Sequence, residues 1–331
     1  MKALVTGGGG FLGGAIIKLL LANGVSVRSF SRGDYPELRA LGVDCLRGDL
    51  AAKDAAAAAC RGCDIVFHTA AKVGMWGRYE DFRRTNVDGT AALLAGARSA
   101  GLARFVFTSS PSVVFNGKEV DGWNESAPYP GSFDSHYSES KAHAERLVLA
   151  ANGPDFATVS LRPHLIWGPG RNHIVSNIVE GGRAKKLRRI GDANKLVDST
   201  YIDDAAAAHW CAAQRLAPGA PCAGKAYFIS QGDPRPNWDL INLILGASGN
   251  EPVTKTLSYP AAYAAALAME AAWLLASFSD EPPLNRFILR QLTTAHWFDI
   301  SAARRDLGYA PSVTIEQGLE KLKAWFNSGG Y

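Results

Sequence analysis

The sequence predicts an α/β protein with a doubly wound parallel sheet and a smaller, discontinuous C-terminal lobe. Three observations support this class. Short apolar runs alternate with segments of helical period, as they do in successive βαβ units. The runs are continuous rather than alternating, which indicates strands buried on both faces. A glycine-rich turn follows the first run and opens the first helix, at residues 7–13.

Buried strands are predicted wherever an apolar run is bounded by turn residues. They cover residues 3–5, 25–30, 65–67, 105–107, 158–161 and 226–230. The first helix carries its apolar side chains on one stripe and ends at Asn23-Gly24, a pair suited to a left-handed C-cap. A later helix begins at Tyr137 and ends near Asn152-Gly153.

The turn at residues 7–13 has the pattern of a dinucleotide-binding loop, with Gly7, Gly10 and Gly13 at intervals of three. Glycine permits positive φ and a close approach of backbone to a pyrophosphate, and the helix N-terminus supplies unpaired N–H groups. Phe11 and Leu12 lie within the same loop. The glycine spacing is weak on its own, but the strand before it and the helix after it make the context specific.

The end of the second strand predicts the choice of cofactor. A carboxylate there would bind a ribose 2′-hydroxyl, whereas a neutral residue beside an arginine would accept a 2′-phosphate. Ser31 and Arg32 occupy these positions, and Asp34 comes only after Gly33. NADP(H) is therefore preferred and NAD(H) is the alternative, with Arg28 as a further candidate ligand.

After about residue 165 the regular alternation breaks, first at Trp167-Gly168-Pro169-Gly170. The strand at 226–230 would return the chain to the main sheet. We therefore expect residues 1–167 and 197–232 to form a dinucleotide-binding (Rossmann) domain, and residues 168–196 and 233–331 to form a substrate-binding lobe.

Tyr137 and Lys141 are four residues apart at the start of a predicted helix and so share one face. An ammonium held close to a phenol favours the phenolate and suits the pair to proton transfer. A hydroxyl that polarises the substrate oxygen is expected where the strand at 105–107 ends. Ser110 is the first choice, with Ser109 and Ser112 as rivals.

The composition is that of a soluble globular protein, with 47% hydrophobic residues, 20% charged residues and a net charge of +4. The basic run at 183–189 lacks the interleaved aromatic residues of a nucleic-acid groove, so no nucleic-acid partner is expected. A solvated face is the preferred interpretation, with attraction to an anionic substrate or an acidic membrane surface as the alternative.

Five cysteines without a framework spacing predict free thiols in the cytoplasm and no metal site. The chain starts without a charged-then-apolar leader. Residues 261–278 are apolar apart from Glu270 and are interpreted as a buried or amphipathic lobe helix. A helix in peripheral contact with a membrane is the alternative, and a transmembrane span is not expected.

Several further motifs accompany the glycine loop and the Tyr137-x-x-x-Lys141 pair. They are Gly48-Asp49-Leu50, His68-x-Ala70-Ala71, Asn86-Val87-x-Gly89-Thr90, Thr108-Ser109-Ser110 and Arg162-Pro163. In this order they resemble the extended short-chain dehydrogenases/reductases, and within them the 3β-hydroxysteroid dehydrogenase-like branch. The resemblance covers nearly the whole chain and implies an NAD(P)-dependent oxidoreductase.

The resemblance implies roles for particular residues. Asp49 and Leu50 would flank the adenine, Ala70 and Ala71 would line the cofactor trough, Pro163 would lie beside the carboxamide, and Asn86 would buttress the site. It also implies a homodimer formed through helices at 79–100 and 137–151.

The branch resemblance extends to chemistry, the interconversion of a β-keto and a β-hydroxy acid attached to a large apolar body. It implies NADPH-dependent reduction of a 2-alkyl-3-oxoalkanoic acid, a step of lipid metabolism in olefin biosynthesis. The alternative is oxidation of a 3β-hydroxysterol 4-carboxylate with loss of carbon dioxide. Predicted substrate contacts are Lys72, Trp76, His164, Trp167, Arg171 and His173.

Two other functions are disfavoured. A sugar-nucleotide dehydratase would carry an acidic pair beside Thr108, and none is present. A non-catalytic nucleotide sensor or scaffold would not need Tyr137 and Lys141.

Overall fold

The structure is a computed structural model that describes residues 1–170, 172–191, 194–276, 278 and 281–330. The strands are β1 Lys2–Thr6, β2 Ser26–Ser31, β3 Asp44–Arg47, β4 Ile65–His68, β5 Arg104–Thr108, β6 Val120–Trp123, β7 Ala157–Pro163, β8 Ile166–Trp167, β9 Arg189–Ile190, β10 Leu196–Val197, β11 Thr200–Tyr201, β12 Lys225–Ile229, β13 Arg235–Pro236, β14 Thr256–Leu257 and β15 His296–Phe298.

The α-helices are α1 Phe11–Ala22, α2 Pro36–Ala40, α3 Lys53–Cys60, α4 Tyr79–Phe82, α5 Gly89–Ser99, α6 His136–Ala150, α7 His173–Arg183, α8 Ile202–Arg215, α9 Asn237–Ala247, α10 Tyr259–Ala276, α11 Arg286–Thr293, α12 Ser301–Leu307 and α13 Ile315–Asn327. A π-helical turn, Arg83–Asp88, joins α4 to α5, and Pro111–Val113 is a short 3-10 helix.

The main sheet has the strand order β12-β7-β5-β4-β1-β2-β3. Every neighbouring pair is parallel. Central strands are buried on both faces, and all seven residues of β7 are buried. The order reverses direction on either side of β1, which creates the crevice at which doubly wound sheets bind ligands. The predicted fold class is confirmed.

β3 is the one strand of the main sheet that the sequence did not predict. Its residues Asp44–Arg47 mix charged and apolar side chains and are only partly buried. It has a neighbour on one side only, β2, so it needs no continuous apolar run. Its register places Arg47 opposite Ser31, which bears on cofactor binding.

A second, smaller sheet has the order β13-β10-β15-β6. Three of its strands come from residues 196–298, but β6 comes from Val120–Trp123, inside the predicted dinucleotide-binding domain. The predicted boundary at residue 167 therefore does not separate the two sheets, because a loop from the first region contributes a strand to the lobe. The rest of the division into two domains stays a prediction.

α10, Tyr259–Ala276, confirms a helix over most of the apolar segment at residues 261–278, and of the two forms expected, buried or amphipathic, it is not the buried one. Only Ala262 and Ala266 on this helix are fully buried. The helix lies on the outside of the lobe, against α11. Among the described residues, none of the helices combines the length and the apolar character needed to cross a bilayer.

Candidate active site

The glycine turn brings three chain segments into close contact. Gly7 has φ of +69°, and a Cβ added there would lie 2.9 Å from the Cα of Ala70. The N–H of Gly10 donates to the carbonyl of Gly7 at 2.9 Å. Gly10 caps α1 with no side-chain hydrogen bond to the first turn. The helix N-terminus therefore keeps N–H groups for a pyrophosphate, and the residues present fit a dinucleotide.

The other residues expected around the cofactor lie near this turn or at neighbouring strand ends. Phe11 lies against Gly170, where an added Cβ would be 3.1 Å from its ring, while Leu12 packs against the core. Asp49 accepts from the backbone N–H of Ala51 at 3.0 Å and pairs with Arg84 at 2.5 Å. Leu50 is buried, whereas Ala70 and Ala71 are half-buried. Pro163 ends β7.

The end of β2 presents cationic rather than anionic groups. Arg32 is exposed, and β3 places Arg47 beside Ser31. Asp34, the nearest carboxylate, is paired with Arg39, and this contact holds the pKa of Asp34 below its usual value. Arg28 is not available as a phosphate ligand, because its Nε donates to Asp44 at 2.8 Å. Arg47 was not predicted as a cofactor ligand because β3, the strand that positions it, was not predicted.

Tyr137 lies in the first turn of α6, which Ser135 caps by accepting from the N–H of Ser138 at 3.1 Å. Burial raises the pKa of the Tyr137 phenol, and a hydrogen bond with the side chain of Ser110 acts against that rise. The Ser110 Oγ also accepts from the N–H of Ser112 at 3.2 Å. The structure thus brings Ser110 to Tyr137, as expected, at the carboxyl edge of the sheet.

Lys141 is buried one turn further along α6, with 3% exposure. Its Nζ donates to the carbonyl of Thr108 at 2.6 Å and lies 4.1 Å from the centroid of the Phe107 ring. Burial lowers the pKa of Lys141 to about 7. We expected its ammonium to lower the pKa of Tyr137, but the amine instead faces β5. Lys141 is therefore held in place by the sheet and is not a hydrogen-bond partner of Tyr137.

Asn86 joins the predicted substrate loop to α6. Its Oδ1 accepts from the N–H of Lys72 at 2.7 Å, and its Nδ2 donates to the carbonyl of Lys72 at 3.0 Å and to Ser140 Oγ at 2.9 Å. Ser140 in turn donates to the carbonyl of Tyr137 at 2.9 Å. Asn86 lies in the π-helical turn, a feature that is frequent at functional sites. Its side chain fixes both the loop and the start of α6.

A hydrogen-bond chain continues from Asn86 to β1 through a buried histidine. Thr90 Oγ1 donates to the carbonyl of Asn86 at 2.6 Å, so it accepts from His68 Nε2 at 2.8 Å. His68 Nδ1 then accepts from Thr6 Oγ1, also at 2.8 Å. Burial lowers the pKa of His68 to about 3, so the ring is neutral and its tautomer is fixed by these partners.

Glu145 and Arg162 form a buried ion pair behind the site, with the Arg162 Nη2 2.6 Å from the Glu145 Oε1. Tyr129 and Ser160 also donate to this carboxylate, at 2.7 and 2.8 Å. Burial acts to raise the pKa of Glu145, but the charge of Arg162 and the hydrogen bonds that the carboxylate accepts together hold it below its usual value. The pair ties α6 to the end of β7, immediately before Pro163.

His164 belongs to a second buried cluster. Its Nδ1 lies 2.5 Å from Asp198 Oδ1, and its Nε2 lies 3.2 Å from His296 Nδ1. His296 Nε2 donates to the carbonyl of Gln291 at 2.7 Å, so a neutral His296 accepts from His164. Burial and the neighbouring His164 lower the pKa of His296 to about 3. Both ring nitrogens of His164 therefore have a polar partner, Asp198 on one side and His296 on the other.

This cluster corrects one predicted substrate contact. Both nitrogens of His164 are engaged, so it has no free donor for a substrate carboxylate in this arrangement. Trp167 is a second correction, because it is 1% exposed and packs in the core against Tyr201. Its Nε1 donates to Ser199 at 3.0 Å. An apolar residue before a Gly-Pro turn has the same sequence pattern whether it faces a pocket or the core.

The remaining predicted substrate residues are accessible to different degrees. Lys72 and Trp76 are half-buried, and the Lys72 Nζ lies 5.2 Å from the centroid of the Phe82 ring. His173 is exposed at the first position of α7. Arg171 lies outside the described residues. The structure thus places Lys72 and Trp76 on the loop that Asn86 fixes to the site, whereas it does not place His173 there.

The fold and the site together define an NAD(P)-dependent oxidoreductase of the extended short-chain dehydrogenase/reductase type. The defining features are the doubly wound sheet, the dinucleotide turn and the side chains of Ser110, Tyr137 and Lys141. The model of the 3-beta hydroxysteroid dehydrogenase/isomerase family matches residues 4–259. The chain therefore belongs to this family.

Comparisons with individual proteins agree with this membership. The chain is 48% identical over 326 residues to the 2-alkyl-3-oxoalkanoate reductase of Stenotrophomonas maltophilia, with 98% of this chain and 99% of that protein covered. It is 31% identical over 334 residues to the decarboxylating sterol-4-alpha-carboxylate 3-dehydrogenase of Mus musculus, at 98% and 91% coverage. UDP-glucuronic acid 4-epimerase from Bacillus cereus, solved in complex with NAD, shares the fold with a TM-score of 0.77, 22% identity and 100% coverage of both chains.

Proposed function

We propose that this protein reduces the 3-oxo group of a 2-alkyl-3-oxoalkanoic acid to a hydroxyl group, with NADPH as the reductant. The observation that carries the proposal is the 48% identity with the Stenotrophomonas maltophilia reductase, which extends over 98% of this chain. The contact between Ser110 and Tyr137 supports it, because two hydroxyl groups meet where a ketone oxygen can bind both.

The side chains of the site supply binding and the proton. When bound, NADPH supplies the hydride that adds to C3 of the acid. Ser110 and Tyr137 donate hydrogen bonds to the ketone oxygen, and Tyr137 transfers its proton to that oxygen as the C–H bond forms. The product is the 3-hydroxy acid, and the Tyr137 phenolate regains a proton from solvent. Lys141, held against β5 by Thr108 and Phe107, would bind the ribose of the cofactor.

NADPH is preferred over NADH because the end of β2 is cationic. Arg32 and Arg47 offer guanidinium groups near Ser31, and hydrogen bonds to charged phosphate are stronger than those to a neutral hydroxyl. Asp34, the nearest carboxylate, is already paired with Arg39. Two arginines and a serine hydroxyl fit a 2′-phosphate.

The test is an assay of nicotinamide absorbance with purified protein. A 2-alkyl-3-oxo acid with NADPH should give rapid oxidation of the cofactor, and NADH should give a lower kcat/KM. A 3β-hydroxysterol 4-carboxylate with oxidised cofactor is the comparison, because the mouse relative is named for such a reaction. Turnover of the sterol acid without turnover of the oxo acid would show that the proposed substrate is wrong.

Tyr137→Phe tests the assigned proton donor. The substitution removes one hydroxyl and should lower kcat by at least a hundredfold, since general acid catalysis contributes about 10²–10⁴. NADPH binding, followed by fluorescence, should be unchanged. Tyr259→Phe is the matched control on the exposed start of α10 and should keep full activity. Normal turnover by Tyr137→Phe would remove Tyr137 from the mechanism.

The family resemblance also supports a homodimer formed through α4, α5 and α6. Leu147 on α6 is 38% exposed, as expected for a residue that a partner would cover. Sedimentation of Leu147→Glu should show monomers where the unsubstituted chain forms dimers. An unchanged sedimentation coefficient would place the contact elsewhere.

A further inference from the structure

α10 carries its only charge on the inner face and an apolar outer face. The Glu270 carboxylate points inward, where it accepts from the backbone N–H of Arg286 at 2.7 Å and from its Nε at 2.8 Å. The exposed residues of this helix are alanine and leucine, apart from Tyr259 and Pro260 at its start. A helix on the surface of a globular protein has the opposite arrangement, with polar residues toward water.

The apolar character increases toward the C-terminal end of this helix. Leu267 is 41% exposed, Leu274 is 69% exposed and Leu275 is 88% exposed. Phe278, just past the helix, is 51% exposed and packs against Trp273 with 5.1 Å between ring centroids. We call this surface of Leu267, Leu274, Leu275 and Phe278 the apolar ridge. Contiguous exposed apolar surface of this kind marks a site of contact with a protein or a membrane.

A basic flank lies beside the other end of α10. β9 pairs with β14, which ends just before the helix, and the N–H of Arg189 donates to the carbonyl of Lys255 at 2.9 Å. The run that ends in β9 exposes Arg183, Lys185 and Lys186, and Lys255 is exposed as well. Among the described residues of this region the exposed carboxylates are Glu180 and Glu251, and Glu251 pairs with Lys185 at 3.8 Å, so four exposed cations face two carboxylates. The flank is positive where the helix begins.

Glu281, beyond the C-terminal end of α10, contacts the predicted substrate loop. Glu281, a few residues past the helix, accepts from the backbone N–H of Met75 in the predicted substrate loop. Val73, two residues earlier in that loop, is 55% exposed. α11, which packs beside α10, is linked to the start of α6 by the Arg290–Asp134 ion pair at 2.6 Å. The elements that flank the apolar ridge therefore contact the predicted substrate loop and the segment before α6.

We propose that the apolar ridge and the basic flank bind the surface of a bilayer that contains anionic phospholipid, with α10 lying in the interfacial plane. Apolar side chains on one face and lysines or arginines near the polar boundary are the two features that hold a helix there. The positive flank favours an anionic bilayer over an uncharged apolar protein surface. The alkyl chains of the substrate would then pass between the lipid and the site; this last step rests on the proposed function.

The experiment is cosedimentation of the full chain with vesicles. Vesicles of equal parts phosphatidylglycerol and phosphatidylcholine should bind the protein, and vesicles of phosphatidylcholine alone should bind it more weakly. Added salt should reduce binding to the anionic vesicles, because it screens the basic flank. Wild-type protein that stays in the supernatant with both kinds of vesicle would overturn the proposal.

Matched variants separate the two contributions. Leu274→Glu/Leu275→Glu should lower the partition coefficient by about a hundredfold or more, from the lost apolar burial. Lys185→Glu/Lys186→Glu should lower it by at least tenfold on anionic vesicles only. Leu41→Glu is the control, since Leu41 is 50% exposed far along the chain from α10. Equal binding by all of these proteins would contradict the assigned surface.

Two further measurements keep the alternatives distinct. If Leu274→Glu/Leu275→Glu dissociates a dimer in analytical ultracentrifugation while vesicles bind nothing, the ridge is a contact between copies and the proposal is wrong. Turnover of a short, water-soluble 2-alkyl-3-oxo acid without vesicles should be equal in wild type and this variant, which shows that the site is intact. Vesicle binding without any reductase activity would refute the proposed function and leave the membrane contact standing.

Discussion

Replacement of Lys141 by methionine should stabilise the protein at low pH while it abolishes turnover. Lys141 is buried, and its pKa falls from 10.5 to about 7. Each factor of ten in a proton-binding constant corresponds to about 1.4 kcal/mol, so the charged amine costs the folded state about 5 kcal/mol. Methionine has a similar length and no charge. It loses the hydrogen bond to the Thr108 carbonyl, a cost of about 1 kcal/mol.

The direction of the Lys141 pKa shift determines how the stability gained by Lys141→Met depends on pH. Below pH 7 the amine is protonated in both states, and wild type bears the full cost. Between pH 7 and 10.5 the folded state releases its proton first, so the stability of wild type rises with pH. Lys141→Met lacks this contribution. Its advantage should be about 4 kcal/mol near pH ~6 and should fall close to zero near pH ~10.

Urea unfolding without cofactor at several pH values measures the difference directly. Contributions from the other titrating groups are shared by the two proteins and cancel. Lys18→Met on α1 is the control, because Lys18 is exposed and its substitution should give no pH-dependent difference. The reasoning is refuted if Lys141→Met is no more stable than wild type at low pH, or if its advantage does not shrink as pH rises.

Three further predictions concern the same site. Gly13→Ala should weaken NADPH binding at least tenfold in a fluorescence titration, because the new Cβ would lie 2.8 Å from the Gly7 carbonyl carbon. Gly14→Ala is the control, because its Cβ would lie 3.4 Å from the nearest atom. Arg47→Ala should raise the Kd for NADPH about tenfold or more and leave that for NADH unchanged, as expected for one charged hydrogen bond. Glu145→Gln should lower the free energy of unfolding by about 3–5 kcal/mol in urea, since it leaves the Arg162 charge buried without a counterion; an effect below 1 kcal/mol would show that water reaches the pair.

The sequence was sufficient to predict the strands that bury continuous apolar runs and the turns that need glycine. Those features depend on neighbours within a few residues, so local pattern determines them. β3 was not predicted because an edge strand has one partner and tolerates charged residues. Arg47 lies on β3 and so was not predicted as a ligand either. Tyr137 and Lys141 were found by their spacing on one helix, which is again a local property.

Other features were beyond the sequence because distant segments determine them. Whether Lys141 faces Tyr137 or β5 depends on Phe107 and Thr108, which belong to another βα unit. Both ring nitrogens of His164 have partners, Asp198 and His296, which come much later in the chain. α10 has nearly the same apolar composition on every side, so only its packing shows which face is outward.

The hydrogen-bond chain from Thr6 through His68, Thr90 and Asn86 to Ser140 has a consequence for the order of folding. Its members lie on β1, β4, the π-turn with α5, and α6, so it closes only after the central parallel strands have paired. Contacts of such sequence separation form late, since loop-closure entropy opposes them. Recovery of activity during refolding should therefore lag behind the recovery of the helical circular dichroism signal. Turnover thus reports the completed fold of the protein and not an earlier compact state of the chain.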